Sequence, residues 1–336
     1  MKVAVLTTSY PTADDPVAGH FVATCVALAR ERGVEVDVVS PGSFEHFGIA
    51  FGGGIANNLR AAPWKLALVP AFLASFSRAA RRAARDADLV HAHWIPSAIA
   101  ARATGKPYVL QVWGTDVELA KRAPALVRPL VAGARSVVAA SEFLAAQARE
   151  LGARRIEIVP PPLTVAAEVA APAEPPHVLY AGRLSEEKGI LEFVEATSGL
   201  PRQIVGDGPL RNRVPEALGA VAPREMAAHY ELAAVVCVPS RREGYGMTAR
   251  EALAHGRPVV ATRVGGLAEL EDAAVLVPPR DVGALRSGVE RLLADGEERA
   301  RLGAAARAFA AERFGPEAAG DALLGSYRNA LEARQY

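Results

Sequence analysis

The chain lacks the features that mark secreted, membrane-spanning or strongly charged proteins. Cys25 and Cys237 are its only cysteines, too few for a disulfide framework or a cysteine metal site, which favours a reducing cytoplasm. No window reaches the roughly 18 uncharged apolar residues of a membrane span. The short apolar run after Met1 lacks the pattern of a signal peptide. A net charge of +1 gives no overall attraction to nucleic acid. We expect a cytoplasmic protein, soluble or peripheral to a membrane.

Acidic residues are missing from one long segment, between Glu45 and Asp86. Apolar and aromatic residues there alternate with six lysine or arginine residues: Arg60, Lys65, Arg78, Arg81, Arg82 and Arg85. A basic amphipathic segment is able to lie on anionic lipid. One hypothesis is therefore a peripheral contact of residues 60–85 with the inner face of the cell membrane. The alternative is a core-packed helix with a solvated basic face.

The length of 336 residues exceeds what one hydrophobic core usually supports, so two domains are expected. Short apolar strands alternate with helical segments, and this alternation restarts after residue 176. Such alternation predicts parallel sheets covered on both faces. We predict two doubly wound, Rossmann-like α/β domains facing each other across a cleft. Residues 1–162 form the first, residues 163–176 a proline-rich linker and residues 177–315 the second, followed by a terminal helix at 316–336.

The most informative stretch of the chain covers residues 233–254. An apolar run at 233–238 predicts a strand, a loop with glycines follows, and a helix is predicted from about Met247. Such a strand, loop and helix start aims several backbone N–H groups at one point, which suits a phosphate. Glu243 in the loop and Glu251 in the helix flank that point. This arrangement suggests a nucleotide-activated sugar, with N–H groups for the diphosphate and carboxylates for hydroxyls.

Other predicted strand ends in the second half carry similar turns. Gly182 and Arg183 follow one strand, and Lys188 comes shortly after. The two cations suit a diphosphate, although isolated charges are usually solvated surface. Chain reversal is the default explanation of the turns at 206–209 and 265–266, and close approach of a ligand to the backbone is the alternative at 206–209. Because ligands of doubly wound sheets bind beyond the carboxyl ends of strands, position favours a functional role for Arg183 and Lys188.

These turns, in their order and spacing, resemble the large retaining glycosyltransferase family 4, which has the GT-B fold. Glu243 and Glu251 match its E-x7-E signature. The resemblance covers nearly the whole chain and implies that the terminal helix crosses back to the first domain. The other matching pieces are Tyr10-Pro11, Gly19-His20-Phe21, Gly114-Thr115-Asp116, Gly182-Arg183-Leu184, Glu187-Lys188-Gly189, Val205-Gly206-Asp207-Gly208-Pro209, Pro239-Ser240, Gly244-Tyr245-Gly246, Gly256-Arg257-Pro258-Val259-Val260-Ala261-Thr262, Gly265-Gly266 and Glu269.

The resemblance implies transfer of a sugar from a nucleotide-diphosphate sugar to a hydroxyl of a glycan, a lipid-linked acceptor or a small molecule. Arg183 and Lys188 would bind the distal phosphate and stabilise charge as the bond to the sugar breaks. Glu243 would hold hydroxyls of the donor sugar, and Glu251 would hold the ribose. The other donor-binding positions implied are Gly19, Gly182, Gly246, Met247 and Thr248.

The family's retained configuration implies front-face attack, in which the departing phosphate accepts the acceptor's proton. Preorganised cations and a helix terminus stabilise this leaving group, so neither a metal nor an organic cofactor is expected. Asp86-Ala87-Asp88 matches the D-x-D form of metal-dependent transferases of another fold, but its place between a basic helix and a strand favours a turn.

Three residues of the first half are candidates for acceptor or sugar contacts: His93, Trp113 and Asp116. His91 and His93 share a face of one predicted strand, and they are core histidines unless His93 contacts the acceptor. Many family members have a histidine at the position of Trp113, which here stacks on a sugar ring or packs in the core. Asp116 hydrogen-bonds a hydroxyl or caps the following helix.

Three other functions share parts of this pattern. A nucleotide-sugar epimerase of the same fold would need proton-transfer groups that the matched positions do not supply. A non-catalytic nucleotide-sugar-binding scaffold is disfavoured by the four charged residues at the matched donor positions. A dehydrogenase is disfavoured because no G-x-G-x-x-G follows the first predicted strand. The base, the sugar and the acceptor are not predicted.

Overall fold

The computed structural model describes residues 1–13, 18–50 and 54–332. The chain divides into two compact units, Met1–Pro162 with Pro316–Tyr336 and Leu163–Gly315. Each unit is an α/β domain with a parallel sheet, which confirms the predicted fold class.

The strands are short and mostly buried. In chain order they are β1 (Lys2–Leu6), β2 (Glu35–Val39), β3 (Leu89–His93), β4 (Tyr108–Val112), β5 (Ser136–Ala139), β6 (Ile156–Ile158), β7 (Val178–Ala181), β8 (Arg202–Val205), β9 (Val235–Val238), β10 (Val259–Thr262) and β11 (Val275–Val277). The α-helices are α1 (His20–Glu31), α2 (Ile55–Ala61), α3 (Val69–Ala83), α4 (Ser97–Ala103), α5 (Thr115–Ala120), α6 (Pro124–Ala132), α7 (Glu142–Glu150), α8 (Ile190–Ala196), α9 (Met226–Leu232), α10 (Met247–Ala254), α11 (Val282–Ala294), α12 (Gly296–Phe314) and α13 (Pro316–Glu332).

The sheet of the first unit has the strand order β2-β1-β3-β4-β5-β6 across the described residues. All neighbouring strands are parallel, and the register places Val5 beside His91 and His93 beside Gln111. Because helices cover both faces, β3 and β4 are buried along their whole lengths. The strand order reverses between β1 and β3, and their carboxyl ends are therefore the expected ligand edge of this sheet.

The sheet of the second unit has the order β11-β10-β9-β7-β8 across the described residues, again with parallel neighbours. Valine dominates β9 and β10, both fully buried, as expected for central parallel strands. Here the strand order reverses between β7 and β9. Loops after β7 and β9 therefore meet at one point, and these are the loops that contain the predicted donor residues.

The terminal helix α13 belongs to the first unit. The Tyr327 hydroxyl lies 2.8 Å from His91 Nδ1 on β3. Arg32 Nη2, at the end of α1, donates to the carbonyl of Pro316 at 2.8 Å. Although no described strand follows α13, the helix is fixed in place because its side chains pack into the core of the first unit. The last residues of the predicted helix, 333–336, lie outside the described residues.

The segment predicted as a linker, residues 163–176, packs along the second unit. Leu163 is buried in the core of that unit. The Ala166 N–H donates to the carbonyl of Ala254 at 3.0 Å, and Arg307 Nη1 donates to the carbonyl of Ala166 at 2.8 Å. Proline disrupts regular structure here, but the backbone polar groups still find partners within the unit. The second unit therefore begins at Leu163.

The basic segment 60–85 is broken into several helices. It runs from the end of α2 through a 3-10 helix at Pro63–Leu68 into α3. Phe72 and Phe76 of α3 are buried, while the arginines of α3 and its end are exposed, as the core-packed alternative predicts. Among the described residues, none of the helices combines the length and apolarity needed to cross a bilayer.

Candidate active site

A pocket lies at the carboxyl ends of β7 and β9, where the strand order of the second unit reverses. Parallel sheets place ligands at such an edge because loop backbones and helix N termini face it. The residues that line the pocket are Tyr180, Ala181, Gly182, Lys188, Cys237, Val238, Pro239, Ser240, Glu243 and Thr248. Four of the predicted donor-site residues are therefore together in this lining.

Lys188 and Glu243 form an ion pair in this pocket. Lys188 Nζ donates to Glu243 Oε2 at 2.7 Å, and Ser240 Oγ donates to the same oxygen at 3.3 Å. The side chains are 30% and 13% exposed, so water screens the pair only partly. The cation comes from the turn after β7 and the carboxylate from the loop after β9. The fold thus brings together two predicted residues that are 55 positions apart.

The loop that carries Glu243 ends at the start of α10, and this helix begins at Met247 as predicted. Gly246 precedes it with φ of 85°, a left-handed conformation in which an L side chain is strained. A Cβ at Gly246 would also lie 2.5 Å from Leu267 Cδ2. Thr248 Oγ1 donates to the carbonyl of Ala181 at 3.0 Å, which ties α10 to the end of β7. Since first-turn N–H groups have no intrahelical acceptor, α10 brings anion-binding donors to this edge.

Arg183 and Glu251 lie on neighbouring elements and do not contribute to the described lining of the pocket. Arg183 is exposed in the turn after Gly182, and its carbonyl accepts a hydrogen bond of 2.8 Å from the Tyr180 hydroxyl. Glu251 is half-buried on α10. The structure joins Lys188 and Glu243 directly, whereas Arg183 and Glu251 are placed by separate contacts.

Tyr230 is a contact of Glu251 that the sequence did not indicate. Its hydroxyl donates to Glu251 Oε2 at 2.7 Å, and its ring stacks on His255 with 5.4 Å between centroids. Burial raises the pKa of Tyr230 well above its usual value, and the Glu251 carboxylate raises it further. The hydroxyl therefore stays protonated and donates. No local spacing connects the two residues, because 21 positions separate them along the chain.

Arg250 is a second residue missed from the sequence. The residue is only 1% exposed. Arg250 Nη2 donates to the carbonyl of Gly266 at 3.1 Å, and its Cζ lies 3.9 Å from the centroid of the Tyr245 ring. Burial lowers the pKa of Arg250, and the nearby Tyr245 opposes this shift. A sequence signal did exist, because Arg250 lies three and four positions before Leu253 and Ala254 on the buried face of α10.

The histidines of β3 are core residues. His91 and His93 are 1% and 0% exposed, and their rings lie 4.2 Å apart between centroids. Burial lowers the pKa of His91 to about 3 and that of His93 well below its usual value, with His91 adding to the second shift. Both rings are therefore neutral near pH 7.

Trp113 packs within the first unit at the end of β4. Its ring is parallel to His93 within 14° at 5.8 Å and lies 4.4 Å from the centroid of Phe21. Trp113 thus packs against neighbouring rings, as one of the two alternatives predicted, and its side chain is half-buried. Contact with a sugar stays a prediction.

Asp116 does not cap α5, because Gly114 occupies the N-cap position without a side-chain cap. Its carboxylate instead accepts backbone N–H groups from Ile95 at 3.1 Å, Trp113 at 3.1 Å and Gly114 at 3.0 Å. Burial raises the pKa of Asp116, and these N–H donors oppose the shift. Asp116 therefore holds the loops after β3 and β4 together. The predicted helix cap was wrong, because a cap involves only the backbone next to the helix and not the loop of Ile95.

Gly19 begins α1 with φ of 65°, and a Cβ there would collide with the carbonyl oxygen of Ser9. Its predicted closure over a diphosphate stays a prediction. Asp88 Oδ2 accepts the backbone N–H of Lys2 at 2.8 Å, which fits the turn predicted for the D-x-D segment. Within the described ranges, no group of three His, Cys, Asp or Glu side chains is arranged to bind a metal.

Comparisons with known proteins agree with this architecture. Sucrose-phosphate synthase from Thermosynechococcus elongatus has a similar structure, with a TM-score of 0.77 and 20% identity over 98% of both chains. Anabaena HepE, solved in complex with UDP-glucose, has a TM-score of 0.73 and 20% identity over 98% of this chain and 99% of its own. These likenesses show that the fold is of the GT-B type.

Sequence matches assign the family. The model described as Glycosyltransferase Family 4 matches residues 17–166, and that described as Glycosyl transferases group 1 matches residues 175–295. A D-inositol 3-phosphate glycosyltransferase of Xylanimonas cellulosilytica is 34% identical over 323 residues, 79% of this chain and 77% of its own. The chain belongs to glycosyltransferase family 4 and is a transferase.

Proposed function

We propose that this enzyme transfers a sugar from a nucleotide-diphosphate sugar to an acceptor hydroxyl and retains the anomeric configuration. The observation that carries the proposal is the 2.7 Å pair of Lys188 and Glu243 beside the start of α10. A cation and helix N–H groups suit a diphosphate, and a carboxylate suits sugar hydroxyls. The UDP-glucose bound by HepE, a protein of the same fold, supports this donor class.

Each donor residue has a role in this scheme. Lys188 leaves Glu243 for the distal phosphate when the donor binds, and Glu243 then accepts hydrogen bonds from sugar hydroxyls. Arg183, exposed in the adjacent turn, supplies a second cation. Glu251, oriented by Tyr230, binds the ribose. Backbone groups at Gly182, Gly246, Met247 and Thr248 complete the phosphate site, with the Gly19 turn as a further donor contact.

The proposed reaction is a front-face displacement. The bond from the anomeric carbon to the phosphate oxygen breaks, and its electron pair stays on that oxygen. The acceptor oxygen bonds to the anomeric carbon on the same face and gives its proton to the departing phosphate. Lys188, Arg183 and the N terminus of α10 stabilise the charge that develops. The scheme requires neither a metal nor an organic cofactor, so EDTA is expected to leave turnover unchanged.

We assign acceptor contacts to the first unit. Trp113 is the favoured side chain, since it is half-buried at the end of β4, whereas His93 is fully buried and Asp116 is held by backbone N–H groups. A glycan, a lipid-linked sugar or a small molecule fits this role. The relative's name, which specifies inositol 3-phosphate, makes that compound a reasonable first acceptor to test.

We further propose that residues 60–85 contact anionic lipid at the cytoplasmic face of the membrane. Trp64 and Leu66 are 68% and 59% exposed, and exposed arginines follow on and after α3. Aromatic and basic side chains together favour an anionic interface. Co-sedimentation with phosphatidylglycerol vesicles at low salt is expected, with loss in W64A/L66A. Wild-type protein that stays in the supernatant would refute the contact.

Substitution of Lys188 and Glu243 tests the main proposal. Purified protein is assayed with UDP-, GDP- and ADP-sugars for release of the nucleoside diphosphate and for thermal shift. K188A and E243A are each expected to lower turnover by about 100-fold or more, because they remove groups that stabilise the transition state. Their melting temperatures should stay close to that of the wild type. R242A is the control, since Arg242 is an exposed cation in the same loop.

The outcomes separate the alternatives. Near-normal turnover in both variants would refute the assigned site. Tight binding of a nucleotide sugar without transfer or hydrolysis would favour the scaffold, and conversion to an epimeric nucleotide sugar would favour the epimerase. The anomeric configuration of the product, read by NMR, tests retention.

A further inference from the structure

Arg250 is a buried guanidinium with incomplete pairing. It donates to the Gly266 carbonyl, and its Nη2 lies 3.7 Å from Glu269 Oε2, which is long for an ion pair. Its Nε and Nη1 are buried without a hydrogen-bond partner among the described residues. An incompletely paired buried charge destabilises a fold relative to an apolar side chain of similar volume. Stability alone therefore does not account for an arginine here.

The unpartnered side of this guanidinium faces the donor loop. Arg250 Nη1 lies 3.4 Å from the position that a Cβ on Gly246 would occupy. Its Cζ packs on the ring of Tyr245, in the same loop as Glu243. The Gly266 N–H donates to the carbonyl of Glu243 at 3.1 Å. Gly266 therefore contacts both Arg250, through its carbonyl, and the loop of Glu243, through its N–H. The positive charge of Arg250 thus lies directly behind Gly246, the residue that precedes α10.

We propose that Arg250 is a positioning residue that holds the Glu243–Gly246 loop and puts a positive charge beneath the phosphate site, without touching the donor. The inference rests on the proposed function of this loop. A charge in a low-dielectric interior acts on a nearby anion more strongly than a surface charge does. The counter-charge Glu269 lies at the other terminal nitrogen, and its side chain is 30% exposed, so water screens it more.

The test varies the charge of the ligand. Binding of uridine, UMP and UDP, or of the guanosine series if GDP binds more tightly, is measured by calorimetry for the wild type and R250M. Affinity for the nucleoside should change by less than about twofold, for the monophosphate by about threefold and for the diphosphate by about tenfold. The melting temperature of R250M should stay close to that of the wild type, because removal of the burial penalty offsets loss of the Gly266 hydrogen bond and the Tyr245 ring contact. R250K, which keeps the charge, should recover most of the diphosphate affinity.

Arg257 provides the matched control. It is 3% exposed and donates to the Ala233 carbonyl at 3.1 Å, but it lies before β10, at the opposite edge of the same sheet. R257M should leave the dependence of affinity on ligand charge unchanged.

Two results would overturn the role of Arg250. One is an equal loss for nucleoside and diphosphate in R250M or, if R250M does not fold, in R250K. The other is full diphosphate affinity in R250M. Wild-type protein that binds none of UDP, GDP and ADP would instead refute the donor site itself, so the two failures are distinguishable.

Discussion

The Tyr230 hydroxyl fixes one oxygen of the Glu251 carboxylate at 2.7 Å from inside the second unit. A carboxylate that binds a ribose diol must present its acceptors in one orientation, and a free side chain loses rotamer entropy when it does so. Because Tyr230 is 2% exposed, water does not replace this hydrogen bond when it is removed. The contact therefore orients Glu251 for the ribose contact proposed above.

Y230F tests this orientation. Loss of a buried hydrogen bond to a charged group should raise the KM for the donor by about tenfold, with kcat within about twofold. The preference for a ribose donor over its 2′-deoxy analogue should fall, which general destabilisation would not cause. E251Q and the double variant complete a cycle, in which the effects should be less than additive. An unchanged ribose preference in Y230F would contradict the role.

The neutral histidines of β3 predict how stability depends on pH. The pKa of His91 is about 3 in the folded chain, against an ordinary value of 6.5. Below pH 6.5 the unfolded chain therefore takes up protons that the folded chain does not, so the folded state loses stability as pH falls. Each such histidine contributes a slope of up to about 1.4 kcal/mol per pH unit. In denaturant unfolding between pH 7 and 5, the free energy of unfolding should fall with this slope. In H91Q the slope should be smaller by up to about 1.4 kcal/mol per pH unit, the contribution of one proton. Equal slopes in the wild type and H91Q would refute the prediction.

Elements were easier to predict from the sequence than the contacts between them. The apolar run before Pro239 and the glycines before Met247 are local signals, and β9 and α10 lie where those signals place them. The rule for strand ends predicted that Lys188 and Glu243 lie near the same ligand edge of the sheet, but it did not predict their ion pair. The contacts of Asp116 with Ile95 and of Tyr230 with Glu251 each join residues 21 positions apart, and no local pattern encodes them.

The proline-rich stretch 163–176 shows the same limit at the level of a segment. Its composition predicts an irregular segment, but composition does not reveal that Arg257 and Arg307 donate to its carbonyls. Packing of an irregular segment depends on side chains that are distant in sequence. Arg250 is different, because a charge on the apolar face of α10 was visible in the helical period.

The turn into α10 supplies a prediction for an element. G246A forces a left-handed φ on alanine and a Cβ against Leu267, so the start of the helix must shift. Affinity for a nucleoside diphosphate should fall by about tenfold or more, since the N–H groups are no longer aimed at one point. Calorimetry with UDP or GDP measures the change.

G199A is the control for backbone strain. Gly199 has φ of 78°, close to that of Gly246, but a Cβ there meets no atom within 4 Å. Both variants should lose about 1 kcal/mol of stability from strain. Only G246A should lose diphosphate affinity, and equal affinity in the two variants would show that the turn does not shape the donor site.

At the scale of the whole molecule, the chain leaves the first unit at Pro162 and returns to it at Pro316. The second unit is thus continuous in sequence, whereas the first needs both ends of the chain. Leu323, Tyr327 and Ala330 of α13 are at most 2% exposed in the first unit's core. The stability of the first unit therefore depends on a segment synthesised after the second unit.

A chain that stops after Gly315 should separate the two units thermodynamically. Removal of α13 exposes the face of the sheet that contains His91 and deletes the large core side chains of Leu323 and Tyr327, each expected to cost about 2–5 kcal/mol. The first unit should unfold at a lower temperature, so calorimetry should show two transitions. UDP or GDP should still raise the upper transition, because the predicted phosphate site lies within the second unit. If nucleotide stabilisation disappears on removal of α13 alone, the phosphate site requires the first unit, and its assignment to the second unit by itself is wrong.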